Sequence, residues 1–120
     1  MKTIKMQMTK KEVCEEVVNL MREYFTGNSM PVSIGITDSG DIARWHNVHQ
    51  NTMSNMVCCI VDTEGGWSFG DFDGDIEKDE DWDNNTDWLQ QIFFDSWLDN
   101  SIDNCDDIEI EWGEDYPENY

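Results

Sequence analysis

Positive charge is nearly missing from half of this chain. From Asp62 to Tyr120 there is one base, Lys78, against 21 Asp and Glu. The first 61 residues carry six bases and six acids, so the second half holds the whole formal charge of −20. Phosphate contacts need Lys and Arg, and a surface of this sign repels a polyanion. Direct binding to nucleic acid or to an anionic membrane is therefore excluded as an expectation.

Long apolar runs are missing as well. The longest, Met56 to Val61, is six residues, where a membrane-spanning helix needs about 20. Met1–Met8 alternates polar and apolar residues and has no signal-peptide core. The expectation is a soluble, cytoplasmic protein, in the host cytoplasm if a phage encodes it. None of the four cysteines (Cys14, Cys58, Cys59, Cys105) forms a Cys-x-x-Cys pair. Without a secretory signal they read as reduced thiols. Cys14 falls on the apolar side of a helix and Cys58-Cys59 in a buried strand, which favours packing over nucleophilic use.

Catalytic signatures are equally scarce. There is no Gly-rich phosphate loop, nucleophile elbow or internal repeat, and no residue set names a reaction. His46 and His49 stand three apart, which on a strand puts the rings on opposite faces, so they read as polar loop histidines. The expectation is a protein that is not an enzyme and has no cofactor or resident metal.

What is present is aromatic. Five of the six Trp lie in the acidic half, and the chain is 38% hydrophobic and 12% aromatic, above the disordered regime. A length of 120 residues suits one domain. That domain is expected over 1–112, followed by an acidic C-terminal tail over 113–120.

Local patterns give the elements. Residues 2–8 alternate as a strand. Thr9-Lys-Lys-Glu12 has capping-box spacing and opens a helix of about 10–26, with Val13, Val17, Leu20, Met21, Tyr24 and Phe25 on one face. Gly27 stands where a left-handed cap belongs. Val32–Ile36 and Ile42–Trp45 flank the turn signal Asp38–Asp41 and read as a hairpin, followed by a polar loop from His46 to Ser54. Asn55–Asp62 reads as a central strand covered on both faces, with Trp67–Asp71 as its partner. Residues 70–83 are too densely acidic for regular pairing and read as loop. Asn84, Asn85 and Thr86 offer N-caps for a helix of about 86–99, and Ile108–Trp112 reads as the last strand. The order is β-α-β-β-β-β-α-β. The fold class is α+β, an antiparallel sheet of about five to six strands with two helices against it.

The second helix carries the sharpest pattern. Asp83, Asp87, Asp95, Asp99 and Asp103 fall on one i, i+4 series, which sets carboxylates in a row about 6 Å apart. Like charges at this spacing destabilise a helix, so stability does not explain the row. Leu89, Ile92, Phe93, Ser96 and Trp97 make the expected core stripe, while Phe94 and Leu98 point among the aspartates as interface anchors would.

The acidic segment also offers a second chemistry. With Gly74 at the sixth position of a calcium loop, Asp71, Asp73, Asp75, Glu77 and Glu80 take positions three, five, seven, nine and twelve. Position one is Phe69, where that loop needs Asp, and a strand rather than a helix leads in. A calcium-binding module over residues 69–83 is therefore one alternative.

The profile is similar in kind to the small acidic nucleic-acid mimics that phages and mobile elements use against restriction, CRISPR or repair enzymes, a likeness of size and charge with no shared motif. It implies a DNA-mimic inhibitor blocking the basic surface of a nucleic-acid-binding protein or nuclease. An immunity protein that neutralises a basic nuclease toxin uses the same electrostatics. The residues expected to face such a partner are Asp71, Asp73, Asp75, Asp79, Asp81, Asp83, Asp87, Phe94, Asp95, Leu98, Asp99 and Asp103.

Overall fold

A computed structural model describes residues 2–27, 32–46, 56–62, 71–105 and 107–114. The chain is a mixed α+β domain built of small sheets and helices. Strand β1 (Lys2–Lys5) leads into helix α1 (Lys10–Gly27), then β2 (Val32–Thr37), β3 (Ile42–His46) and β4 (Met56–Asp62). Helices α2 (Asp79–Trp82), α3 (Thr86–Ile92) and α4 (Leu98–Asp103) follow, and β5 (Ile108–Glu111) comes last. A five-residue π-helical turn, Phe93–Trp97, joins α3 to α4 without a break.

The first helix begins as its sequence demands. The Glu12 amide donates to Thr9 Oγ1 at 3.1 Å, and the Thr9 amide donates to Glu12 Oε1 at 3.0 Å. Two orphan donors are thereby satisfied reciprocally. Val13, Cys14, Val17, Val18 and Met21 are buried on the inner face. Gly27 remains inside the last turn and is not left-handed, so the expected cap at that residue does not form there.

The strands depart from one antiparallel sheet. Among the described residues there are two sheets, β3-β2-β4, antiparallel throughout, and a separate parallel pair, β1-β5. In the pair, Lys2 faces Ile108 and Ile4 faces Ile110. Two parallel strands need a long crossover, and everything from α1 to α4 supplies it. Strand β1 is shorter than expected, but the Met6 amide still reaches the Glu111 carbonyl and the Gly113 amide the Met8 carbonyl. Gly113 is thus tied to the domain rather than part of a frayed tail; 115–120 lie outside the described residues.

Among the described residues of the larger sheet β2 is central, with β3 and β4 paired on either side of it. Cys59 on β4 is exposed. Residues 63–70, including the expected partner strand from Trp67, lie outside the described residues. So does the loop over 47–54, although β3 takes in His46 as its last residue. The hairpin turn is closed by the Thr37 amide on the Asp41 carbonyl and by Gly40 at φ 88°. Any side chain at Gly40 would run into the Lys5 carbonyl, so this turn also docks against β1.

The core joins Ile4, Val13, Val17, Met21, Ile34, Ile36, Ile60, Trp82, Leu89, Phe93 and Leu98. Helix α1 lies against β2 and β3, and α4 against β4 and β5. Cys58 of β4 and Cys105, just past α4, are joined as a disulfide with their Cα atoms 5.7 Å apart. This corrects the reading of four reduced thiols. Nothing in the sequence marks the pair, because the docking of α4 on β4 creates the proximity. Cys14 and Cys59 are free. Among the described residues no helix is long and apolar enough to cross a membrane.

Candidate protein-binding surface

The acidic segment from Asp71 to Asn85 has little regular structure, yet it is held tightly by one buried amide. Asn85 is fully buried. Its Oδ1 accepts from the Asp73 amide at 2.9 Å and from Trp88 Nε1 at 2.8 Å. Its Nδ2 donates to the Asp73 carbonyl at 2.9 Å and to the Asp81 carbonyl at 2.7 Å. All four hydrogen-bonding positions of the side chain are used. Asn85 stands at the N-cap of α3 but makes no capping bond, because its side chain turns back to the loop instead. Trp82 closes the other side: it is fully buried, donates from Nε1 to the Ile76 carbonyl at 2.8 Å, and meets Phe72 edge-on at 5.1 Å.

With its interior fixed, the segment turns Asp71, Asp73, Asp75, Asp79 and Asp83 to solvent. Asp81 is half-buried; its Oδ2 accepts from the Asp75 amide at 2.7 Å across Gly74, whose φ is 116°. Asp75 Oδ1 accepts from the Glu77 amide at 2.9 Å. One of the carboxylates that a calcium loop would aim at an ion, that of Asp75, is thus bonded to a backbone amide. Among the described residues no three His, Cys, Asp or Glu converge as a metal cage. The four residues Asp79–Trp82 are helical rather than loop.

Arg22 on α1 binds this segment to the first helix. Its Nε donates to Asp79 Oδ1 at 2.6 Å, and its Nη2 reaches the Asp79 carbonyl at 2.8 Å and Asp83 Oδ1 at 3.0 Å. The hydrogen bond from Arg22 holds the Asp79 carboxyl below the usual carboxylate range. One of the few bases of the first half is therefore spent on two acids of the second.

The expected row of aspartates is broken by the π-helical turn. A turn closed by i→i+5 bonds holds one residue more than an α-turn, so everything after it is set back by about 100°. Position 98 then takes the azimuth that 97 would have had. Leu98, expected among the partner-facing residues, is accordingly buried in the core. Trp97 is half-buried and donates from Nε1 to the Ile60 carbonyl at 3.3 Å. Ser96 is exposed, and Ile92 at the edge of the stripe is 40% exposed. Trp82 is buried and Trp88 half-buried.

The same setback turns Asp99 and Asp103 away from Asp87 and Asp95, and carries Asp99 to Lys10 of α1 at 2.9 Å. Asp95 accepts from Gln91 Nε2 at 2.8 Å, while Asp87, Asp95, Asp99 and Asp103 all remain exposed. Phe94 stays on the surface, 38% exposed, with Lys10 Nζ 4.7 Å from its ring centre.

Sequence reading placed the acidity in the second half alone, but α1 adds to the same surface. Glu12, Glu15 and Glu16 line a cleft of about 400 Å³ with Thr86 and Gln90 of α3. A second cleft of about 400 Å³ runs between Cys14 and Glu15 of α1 and Asp87, Gln91 and Phe94. The signal for this lies in the i, i+3 and i+4 spacing of these glutamates on α1. Burial pushes the Cys14 thiol up to about 11, so it is not a nucleophile at neutral pH. Comparison with family models, with curated proteins and with solved structures finds no match.

Proposed function

We propose that this protein is an acidic inhibitor that mimics the charge of nucleic acid and occupies the basic nucleic-acid-binding surface of a target enzyme, such as a restriction or CRISPR nuclease. The observation that carries this reading is the frame around Asn85 and Trp82, which holds Asp71, Asp73, Asp75, Asp79 and Asp83 outward on a fixed backbone. An acidic segment that served only solubility has no need of a buried polar hub. Fixed carboxylates lose less conformational freedom on binding than mobile ones, and a net charge of −20 steers a basic partner toward them. The mechanism is competition: a channel that holds phosphates takes carboxylates instead.

The test is capture on immobilised protein from a lysate of the cell in which it acts, followed by elution with duplex DNA. Recovery of a basic nucleic-acid enzyme that DNA displaces, and whose activity the free protein blocks, supports the reading. Capture that DNA does not displace, or an enzyme left active with the protein bound, overturns it; the latter also points to the footprint of a bystander rather than of a mimic.

A further inference from the structure

Phe94 is an aromatic ring exposed on an acidic helix, and its surroundings say what suits it. The ring stands at the α1–α3 cleft, with Glu15 and Asp87 among the lining side chains and Lys11 the base beside them. Its face is already used by a cation of the protein itself: Lys10 Nζ lies 4.7 Å from the ring centre and 2.9 Å from Asp99 Oδ2. An aromatic face attracts a cation through its quadrupole, and the carboxylate beside it adds a hydrogen-bond acceptor. The geometry is that of a cation receptor with an internal lysine in it.

We propose that Phe94 and Asp99 form a receptor for an arginine side chain of the basic partner, with Lys10 as the stand-in that the arginine displaces. This rests on the proposed function and specifies one contact within it. Arginine suits the place better than lysine. Its planar guanidinium stacks on a ring while its fork still reaches a carboxylate, whereas an ammonium acts as a point charge. The ion pair holds Lys10 only weakly, since its carboxylate is exposed, although the lysine side chain itself is 22% exposed. Phe94 then supplies what a pure charge mimic lacks, a contact that distinguishes an arginine-lined channel from any other basic surface.

The test uses capped tri-arginine and tri-lysine peptides as probes at physiological ionic strength, followed by amide chemical shifts of α1 and α3. The wild-type protein is expected to bind tri-arginine more tightly and to shift signals around Phe94. Phe94→Leu keeps the apolar bulk but removes the ring, and is expected to weaken tri-arginine binding roughly three- to tenfold and to abolish the preference over tri-lysine. Phe94→Trp is expected to retain both. Lys10→Met, which vacates the ring, is expected to strengthen tri-arginine binding. If the peptides bind but Phe94→Leu changes neither affinity nor preference, the receptor is refuted while the charge reading stands. If neither peptide binds the wild type, the basic-partner reading falls and the receptor with it.

Discussion

The Leu98 amide donates to the Phe93 carbonyl, one residue further back than an α-helix allows. That bond decides which side chains of the second helix face the core. Without it, Leu98 would share the face of Phe94. With it, Leu98 is buried and Phe94 is not.

The two positions should therefore respond differently to truncation. Leu98→Ala is expected to cost about 2–5 kcal/mol, and Phe94→Ala less than about 1 kcal/mol. Urea denaturation followed by Trp fluorescence measures both. Equal losses would mean that the helix runs on as an uninterrupted α-helix.

The disulfide should be visible in a thiol count. The denatured, unreduced protein is expected to show two reactive thiols of its four, from Cys14 and Cys59. Reduction is expected to lower stability by about 2–4 kcal/mol, as is usual for removing a cross-link over a loop of this order. Four reactive thiols before reduction would show the pair open.

Asn85 is expected to be the most sensitive polar residue. Asn85→Ala leaves the part-buried Asp73 amide and Trp88 indole N–H without their acceptor. The expected loss is about 1–3 kcal/mol in all, since a fully buried group left unpaired costs that much alone. Hydrogen exchange should quicken at Asp73 and through residues 71–84. Unchanged protection there would show that the loop is held by Trp82 alone.

The Arg22 clamp gives a pH signature. Asp79 titrates below its ordinary value because Arg22 donates to it. Its contribution to stability is thus complete above the unfolded carboxylate pKa and is lost as pH falls through the lower folded one. Arg22→Gln is expected to remove this acid-side loss and leave the protein less stable at neutral pH. Melting temperatures across the acid range compare the two proteins; parallel curves would show that the pair contributes nothing.

Charge removal tests the surface itself. Asp87→Asn, Asp95→Asn and Asp99→Asn together are expected to weaken binding to a basic partner severalfold at low salt, with little change in melting temperature. Affinity unaltered by the triple change would move the interface to the segment around Asp71–Asp83.

How much of this was readable beforehand varied with the range of the interaction. The Thr9–Glu12 box is local and legible in full, and the apolar face of α1 in large part, though Val18 joins the buried face and Leu20, Tyr24 and Phe25 are half-buried. The β2–β3 hairpin, whose turn chemistry spans a few residues, was legible too. The π-helical turn was not, since Phe93–Trp97 also fits an α-helix and tertiary packing selects between the two. The Cys58–Cys105 bond and the β1–β5 pairing depend on elements far apart in the chain, for which alternation and spacing carry no signal. At the candidate surface the carboxylates were legible as residues but not their fates. Asp99 was read as part of a row, whereas Lys10 holds it; Asn85 was read as a cap, whereas it is the centre of a loop.

Strand β1 pairs, among the described residues, with β5 alone. It is synthesised before β5, and among the described strands it has no sheet neighbour until Ile108–Glu111 has followed. Until then Ile4 and Met6, buried in the finished domain, stand beside an open backbone edge. Such an edge is a template for pairing with another chain. Lys2 and Lys5, both exposed, flank it, and charged lysines on an edge strand discourage that error. The first strand carries its safeguard during the interval when its partner does not yet exist.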